Sequence, residues 1–574
     1  MPATAPNPFW TRLESPRASA LVFLALALGL LLPGISSLPL MDRDEPRFAQ
    51  ATHEMRERGE WIVPYFNGDY RFDKPVGSYW LMRVHYWIFG KSEIGARLHS
   101  VWSAWLVAVT LGALGRFLFS ARAGFLAGLA WLTSAQVLIH GRLCVADMPM
   151  ILGTVLSFYA LARLLFAQEE PPRFNRWFWL LVGSQAFAFL VKGPIPLVVL
   201  VLGLLLYRWP LGRVAVPWGR LQPLSFLVFY LLGLGTWGIP ALWQTEGAFW
   251  EGGMGEHVIE RGLQSFNGRL FLPVLPYLLF ALISLFPWMA FLLTLTRERC
   301  RKLGPKGAFL LAWFLAPYLV FALYRTQLPH YVLPGFGGFF LLLLAEGRLP
   351  QLASPAQRRW FWLPFGLFAG AALFLFLLAV AAPLPEGLSG LRNLFGLAGL
   401  LIAGLVLGLG FLRKQALGLF LGANLVSALV VEGLGRQVRA LHPALAIQEL
   451  AKDLPTGTEF RACRFTEPSL VFYSQGAWEM RDDEAATAAW LAPGKNRLAV
   501  FLLREWTTEQ VFDAFPDFKN IEVEREYEDL LRPLLPTEGY RYQIVTGFNA
   551  ARTAWVEVLV ALPSFESKTL KPET

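Results

Sequence analysis

The chain has 574 residues, 55% of them hydrophobic and only 16% charged, with 22 Trp and 46 Phe. That balance excludes one large soluble core and describes a polytopic α-helical membrane protein. A formal charge of +9 would suit a nucleic-acid partner. Lys and Arg gather instead in short loops between apolar runs, a topology signal that argues against nucleic acid. Cys144, Cys300 and Cys463 lie far apart with no CxxC pair, so neither a disulfide framework nor a zinc ribbon is expected.

The first apolar run, 18–40, is long and lacks a small-residue cleavage pattern, which predicts a retained membrane helix rather than a removed signal. A charged, aromatic stretch follows at 41–80. Asp44 reads there as a helix N-cap, with Glu45 and Pro46 opening the first turn. Phe48, Ala51 and Met55 recur at helical spacing until Gly59 stops the helix, which predicts an amphipathic helix on the membrane plane. Further apolar runs at 97–119, 123–141, 148–167, 177–191, 194–209, 222–243, 271–296, 308–324, 329–346, 360–382, 391–412 and 415–434 bring the total to about thirteen spans. Alternate loops carry clusters such as Arg297, Arg299, Arg301, Lys302 and Lys306. The positive-inside rule makes that set cytoplasmic, with the N-terminus, and an odd number of spans puts the C-terminus outside.

The opposite, external loops hold the isolated charges that solubility does not explain. Asp44 is a carboxylate able to act as general base on an acceptor hydroxyl, and capping would fix its place. Lys74 and Lys192 each sit beside Pro or Gly-Pro at the membrane edge. Snorkelling would explain any edge lysine, yet these loops carry few, and a carrier phosphate needs fixed positive charge. Asp147 begins a span, with Arg142 as the expected charge partner. Glu256 and His257 lie in a loop whose Gly252, Gly253 and Gly255 make it a candidate lid. His257 with Asp73 would suit a divalent metal ion, although a solvated loop explains these residues equally well. His53, His85, His99 and His140 read as structural.

Past residue 436 the pattern changes. RACRF, SLVFYS, RLAVFLL, FKNIEVEREY, YQIVTGF and AWVEVLVAL are β-rich, with helical patterns near 483–492 and 505–515. The expectation is a transmembrane domain at 1–436 and a small soluble α/β domain at 437–574.

DRDEPRFAQ, then GEWIVPYFNGDYRFDKPVGSYW, resemble the first external loop of the lipid-carrier-dependent GT-C glycosyltransferases. Within that class they are most similar to the lipid A 4-amino-4-deoxy-L-arabinose transferases and the dolichyl-phosphate-mannose protein mannosyltransferases. Asp44-Glu45 matches the family's Asp-Glu pair. Asp73-Lys74-Pro75-Val76 stands where the family has Glu-Lys-Pro-Pro, a departure in the acid and in the second Pro. Lys192-Gly193-Pro194, the Arg142-to-Asp147 segment, YRTQLPHYVLPGF with Arg325, His330 and Tyr331, and EPSLVFY at 467–473 resemble further family segments.

The resemblance implies a GT-C fold and sugar transfer from a polyprenyl-phosphate donor to a lipid A-type glycolipid. It places the protein in a bacterial inner membrane with a periplasmic active site. It also implies catalytic roles for Asp44, Glu45 and Asp147, and donor-phosphate contacts from Lys74, Lys192, Arg325 and Tyr331. A protein or other glycan acceptor would fit the same residues. A lipid-linked-sugar flippase would need mid-membrane charge that these spans almost lack, and a non-catalytic scaffold would leave the external acids and lysines unexplained.

Overall fold

Each apolar run becomes helix in the computed structural model. It describes residues 13–564 apart from 213, 254, 256–274, 325–326, 382–389, 475, 492–494, 508–530, 550–551 and 553. Seven helices among the described residues are long and apolar enough to cross a membrane, from Glu93–Leu118 to Leu417–Ala440, and five shorter apolar helices accompany them. The first eight helices build most of the site: α1 (Pro16–Leu31), α2 (Asp44–Glu57), α3 (Gly77–Phe89), α4 (Glu93–Leu118), α5 (Ala121–Leu132), α6 (Ala135–His140), α7 (Asp147–Leu165) and α8 (Arg176–Lys192).

Local chemistry sets the breaks. The run at 123–141 divides into α5 and α6, where Thr133 and Ser134 donate their hydroxyls to the carbonyls of Leu129 (2.7 Å) and Trp131 (2.9 Å). Such bonds compete with the helical ladder. Helices α4 and α5 touch backbone to backbone: a Cβ on Gly124 would lie 2.1 Å from the Gly112 carbonyl oxygen, so only glycine fits this crossing. Ser92 caps α4 by accepting from the Gly95 N–H.

Helix α2 ends as its sequence predicts, with Gly59 at φ +67°. Its start differs from expectation. Arg43 occupies the N-cap position with no side-chain cap bond, and Asp44 is the first helical residue, its side chain exposed. Nor does α2 lie bare on a membrane surface. Phe48, Ala49, Ala51, Thr52 and Met55 are all buried, between α3 on one side and the helix Pro468–Tyr473 on another.

The C-terminal part carries one mixed sheet. After the short hairpin β1 (Tyr65–Phe66) and β2 (Asp69–Tyr70) of the first loop come β3 (Glu459–Cys463), β4 (Trp478–Arg481), β5 (Arg497–Thr507), β6 (Tyr540–Asn549) and β7 (Ala554–Pro563). The order is β4-β3-β5-β7-β6, parallel across β4-β3-β5 and antiparallel across β5-β7-β6. The segment read as the strand SLVFYS is instead the helix Pro468–Tyr473, with proline in its first turn and every residue buried. Its apolar run faces protein on all sides, and that pattern serves a buried helix as well as a buried strand. Residues 505–507 end β5 rather than start a helix; all of FKNIEVEREY and most of 505–515 lie outside the described residues.

This sheet unit grips the first loop. Asn67 exchanges two hydrogen bonds with the Trp478 backbone, donating Nδ2–H to its carbonyl (2.7 Å) and accepting its N–H (2.9 Å). The Tyr473 hydroxyl accepts the Leu40 N–H (2.9 Å) and donates to Glu93 (3.1 Å).

One buried ion pair anchors the loop from the membrane side. Arg97 of α4 donates Nε–H and Nη2–H to the two oxygens of Glu45 at 2.8 and 2.7 Å. Its remaining guanidinium hydrogens reach the carbonyls of Ile35 (2.9 Å), Leu38 (2.7 Å) and Pro39 (2.8 Å). Glu45 also accepts the N–H groups of Met41 (2.9 Å) and Cys144 (2.7 Å). Both side chains are at most 2% exposed. Removing one partner of such a pair strands the other charge at a cost of about 3–5 kcal/mol. Arg97→Met should therefore lower the unfolding midpoint in detergent far more than Arg348→Met at the exposed Arg348–Glu346 pair. Equal midpoints for the two variants would remove this pair as the loop's anchor.

Candidate active site

A cavity of about 670 Å³ opens where the first loop meets α7, α8 and the helix Pro223–Gln244. Asp44, Glu45, Asp73, Lys74, Asp147, Lys192 and Tyr331 all line it, although they come from five separate stretches of sequence. Arg325 and His257 lie outside the described residues. The helix Pro223–Gln244 supplies an apolar wall through Leu234, Gly235, Gly238, Ile239 and Leu242. The loop proposed as a lid touches the first loop. A Cβ on Gly252 would stand 2.9 Å from the Phe72 Cβ, so a bare backbone lets the two approach.

The acids differ sharply in their engagement. Asp44 and Glu45 are neighbours on α2, and the helical step of about 100° per residue turns them to different sides. Glu45 faces inward, with both oxygens held by Arg97 and two backbone N–H groups. The Asp44 side chain is exposed at the cavity. Asp73 is ion-paired with Arg71 at 2.6 Å, and Arg71 also donates to the Tyr79 hydroxyl at 3.1 Å. The Lys74 ammonium donates to the Asp73 carbonyl at 2.8 Å.

Asp147 opens α7, and its partner is Lys192 at the end of α8, Nζ to Oδ1 2.5 Å. Arg142, the expected partner, is buried elsewhere. It donates to the carbonyls of Leu30 and Pro33 around the end of α1, where unpaired helix-end acceptors need donors, and to that of Leu138 in α6. Lys192 also stands 5.8 Å from the centre of the Tyr331 ring, within cation–π reach.

His140, read from sequence as structural, lines the cavity as well. Its ring lies 4.7 Å from that of His330, and His330 Nε2 is 3.7 Å from Asp147 Oδ1. Gln136 reaches His140 Nδ1 at 3.0 Å while its own oxygen accepts from Ser284 at 3.0 Å. A lone His at the end of a six-residue helix gave no signal of this; its proximity to Asp147 in the sequence was the available clue. His99 fits its structural reading, placed against the carbonyls of Ala96 (2.7 Å) and Val145 (3.2 Å).

The helical framework has a GT-C fold. The crystal structure of ArnT from Cupriavidus metallidurans bound to undecaprenyl phosphate superposes with a TM-score of 0.70 at 20% identity, covering 94% of this chain and 97% of that one. The apo form of the same protein gives 0.71 at 18% identity with the same coverage. A family described as dolichyl-phosphate-mannose-protein mannosyltransferase matches residues 18–246. The undecaprenyl phosphate-alpha-4-amino-4-deoxy-L-arabinose arabinosyl transferase of Pectobacterium atrosepticum is 29% identical over 378 residues, 64% of this chain and 66% of that protein. The protein of the same name from Yersinia enterocolitica is 32% identical over 339 residues, 57% of this chain and 58% of that protein. The matched stretches thus span less than two thirds of these relatives. The chain shares its fold with ArnT and is similar in sequence to the aminoarabinose transferases.

The Asp147–Lys192 contact makes a double-mutant cycle informative. Asp147→Asn and Lys192→Met should each destabilise the fold, and the double variant should recover part of the loss, with a coupling of about 0.5–3 kcal/mol for contacting charges. Strictly additive unfolding midpoints would mean the pair carries no interaction energy.

Proposed function

We propose that the protein is an integral membrane glycosyltransferase that takes a sugar from a polyprenyl-phosphate donor and passes it to a lipid A-type glycolipid. The observation that carries this reading is one cavity joining an exposed carboxylate, two lysines and an apolar wall. An amphiphile with an anionic head and a long isoprenoid tail needs that combination. The similarity to these relatives and the carrier lipid in the Cupriavidus protein point the same way.

In this mechanism the acceptor hydroxyl attacks the anomeric carbon in line. The new C–O bond forms as the bond to the phosphate oxygen breaks, and the configuration inverts. Asp44 accepts the hydroxyl proton as general base. Lys74 and Lys192 stabilise the polyprenyl phosphate as it leaves with the bonding electrons. Lys192 has three N–H donors, so it can keep Asp147 on one and offer another to phosphate. Tyr331 adds a contact from the same side, and from the sequence Arg325 joins the phosphate set. Glu45, its carboxylate already engaged, acts by holding α2 and hence Asp44 in place. Asp147 acts through Lys192.

A resident divalent ion fits poorly. The ligand atoms of His140, Asp147 and His330 lie within 4.8 Å of one another, but the Lys192 ammonium already stands on Asp147. Asp73 is likewise held by Arg71. The protein's own cations neutralise both acids, and no step is routed through a metal. The Lys/Arg alternation supports an inner-membrane protein with a cytoplasmic N-terminus, a transmembrane domain at 1–436 and a periplasmic domain at 437–574.

Asp44 is an exposed first-turn residue of α2, so Asp44→Asn should lower stability by no more than the helix-dipole contribution of about 0.3–1 kcal/mol. Turnover with a purified polyprenyl-phosphate sugar should fall by about 10²–10⁴, the usual size of a general-base contribution. Lys74→Ala should raise the donor KM by roughly tenfold or more, since a charge-assisted hydrogen bond contributes about 1.5–3 kcal/mol. Wild-type turnover by Asp44→Asn would end its assignment as the base.

A further inference from the structure

The sheet unit does more than sit beside the cavity. Ser469, on the buried helix Pro468–Tyr473, donates its backbone N–H to Asp42 Oδ1 (2.9 Å) and its hydroxyl to Oδ2 (2.6 Å). Asp42 lines the cavity, two residues before the proposed base. One turn further along the same helix, Tyr473 accepts the Leu40 N–H. The segment from Leu40 to Asp44 is therefore fixed from both sides. Arg97 and Glu45 hold it from the membrane, and Pro468–Tyr473 holds it from the sheet unit.

The link continues inward. Glu467, 1% exposed, pairs with Arg552 of the sheet unit at 2.6 Å and lies 3.8 Å from Arg43. Arg552 also pairs with Glu505 of β5 at 2.8 Å. The Lys91 ammonium, from the turn between α3 and α4, sits 5.1 Å from the centre of the Phe472 ring. Among the described residues, contacts of this strength run from the sheet to the residues flanking the proposed base.

We propose that the C-terminal unit is a working part of the active site, with Ser469 the positioning residue that sets Asp42 and, through the backbone, aims Asp44 into the cavity. This rests on the glycosyltransferase reading above. The C-terminal unit therefore governs how fast sugar is transferred rather than which donor binds. A chain whose sheet unit is displaced keeps its lysines and apolar wall but loses the aim of its base.

Asp42 also supplies a readout that a merely structural contact would not move. Burial holds its carboxyl up at about 7, while the Ser469 hydrogen bonds pull it down and the Glu467 charge pushes it up. The charged groups facing it are Glu467 and Arg47 of α2, and Arg43, next in the chain, lies 3.8 Å from Glu467. Ser469→Ala deletes the hydroxyl donor, so the ionised form of Asp42 is lost at a higher pH than in the wild type. If an ionised Asp42 is what keeps the loop aimed, the acid limb of kcat must move upward by about one to two pH units for one charge-assisted hydrogen bond. The donor KM should stay unchanged, and Ser469→Thr, which restores the hydroxyl, should return the limb towards its wild-type place.

The experiment is the pH profile of kcat and donor KM for full-length wild type, Ser469→Ala and Ser469→Thr, with the unfolding midpoint measured alongside. An upward shift in Ser469→Ala, reversed in Ser469→Thr, supports the proposal. A lowered midpoint with an unshifted acid limb overturns it, as does a change confined to donor KM. A wild-type protein that transfers no sugar from any polyprenyl-phosphate donor would overturn the glycosyltransferase reading itself, an outcome distinct from either.

Discussion

The Arg97–Glu45 pair is the constraint on which the rest of the site depends. A guanidinium has five N–H donors in a rigid fork. All five are committed here, two to Glu45 and three to the carbonyls of Ile35, Leu38 and Pro39. Those carbonyls belong to the irregular chain after α1, which has no helical partners of its own. Burying such a segment without donors would carry a desolvation cost at each carbonyl. One side chain answers three of those carbonyls and ties the segment to the first turn of α2. With Glu45 fixed inward, helix geometry leaves its neighbour Asp44 at the cavity. A carboxylate held in place and one left exposed are therefore consequences of the same ion pair.

Charge is handled in pairs throughout the cavity. Asp147 meets Lys192, Asp73 meets Arg71, and the Lys74 ammonium is drawn to a backbone carbonyl. Ionised groups at a membrane edge are costly alone, and pairing lowers that cost before any ligand arrives. On the proposed reading, the paired lysine offers a further N–H to an anionic head group. In the same cavity the helix Pro223–Gln244 offers glycines and aliphatic side chains, an apolar surface. In the proposed reaction the lysines hold the phosphate and this apolar surface accommodates the tail.

Much of this was legible in the sequence, and the exceptions have physical causes. Hydropathy placed the helices because a bilayer demands long apolar runs, and Gly59 marked the end of α2. The segment EPSLVFY was read partly as strand because a short run buried on every side has the same apolar signature as strand or helix. Arg142 was assigned to Asp147 because it is close in sequence, whereas Lys192 becomes its neighbour only when α7 packs on α8. Sequence proximity cannot show that Arg142 is needed at the end of α1. The role of His140 rests on its place beside His330, which depends on two elements far apart in the chain, and only its sequence proximity to Asp147 hinted at the cavity. The grip of the sheet unit on the first loop was equally invisible, since it joins Asp42 to Ser469 across more than four hundred residues.

In the proposed reaction this cavity passes a sugar from a polyprenyl phosphate to a lipid acceptor by a single in-line displacement. Incubating the purified protein in lipid with a polyprenyl-phosphate sugar of defined anomeric configuration and a lipid A acceptor tests it directly, with the product analysed by NMR. The account predicts one free polyprenyl phosphate per glycosylated acceptor, and an anomeric configuration opposite to that of the donor. A product that retains the donor configuration, or a donor that is only moved across the membrane without losing its sugar, would contradict it.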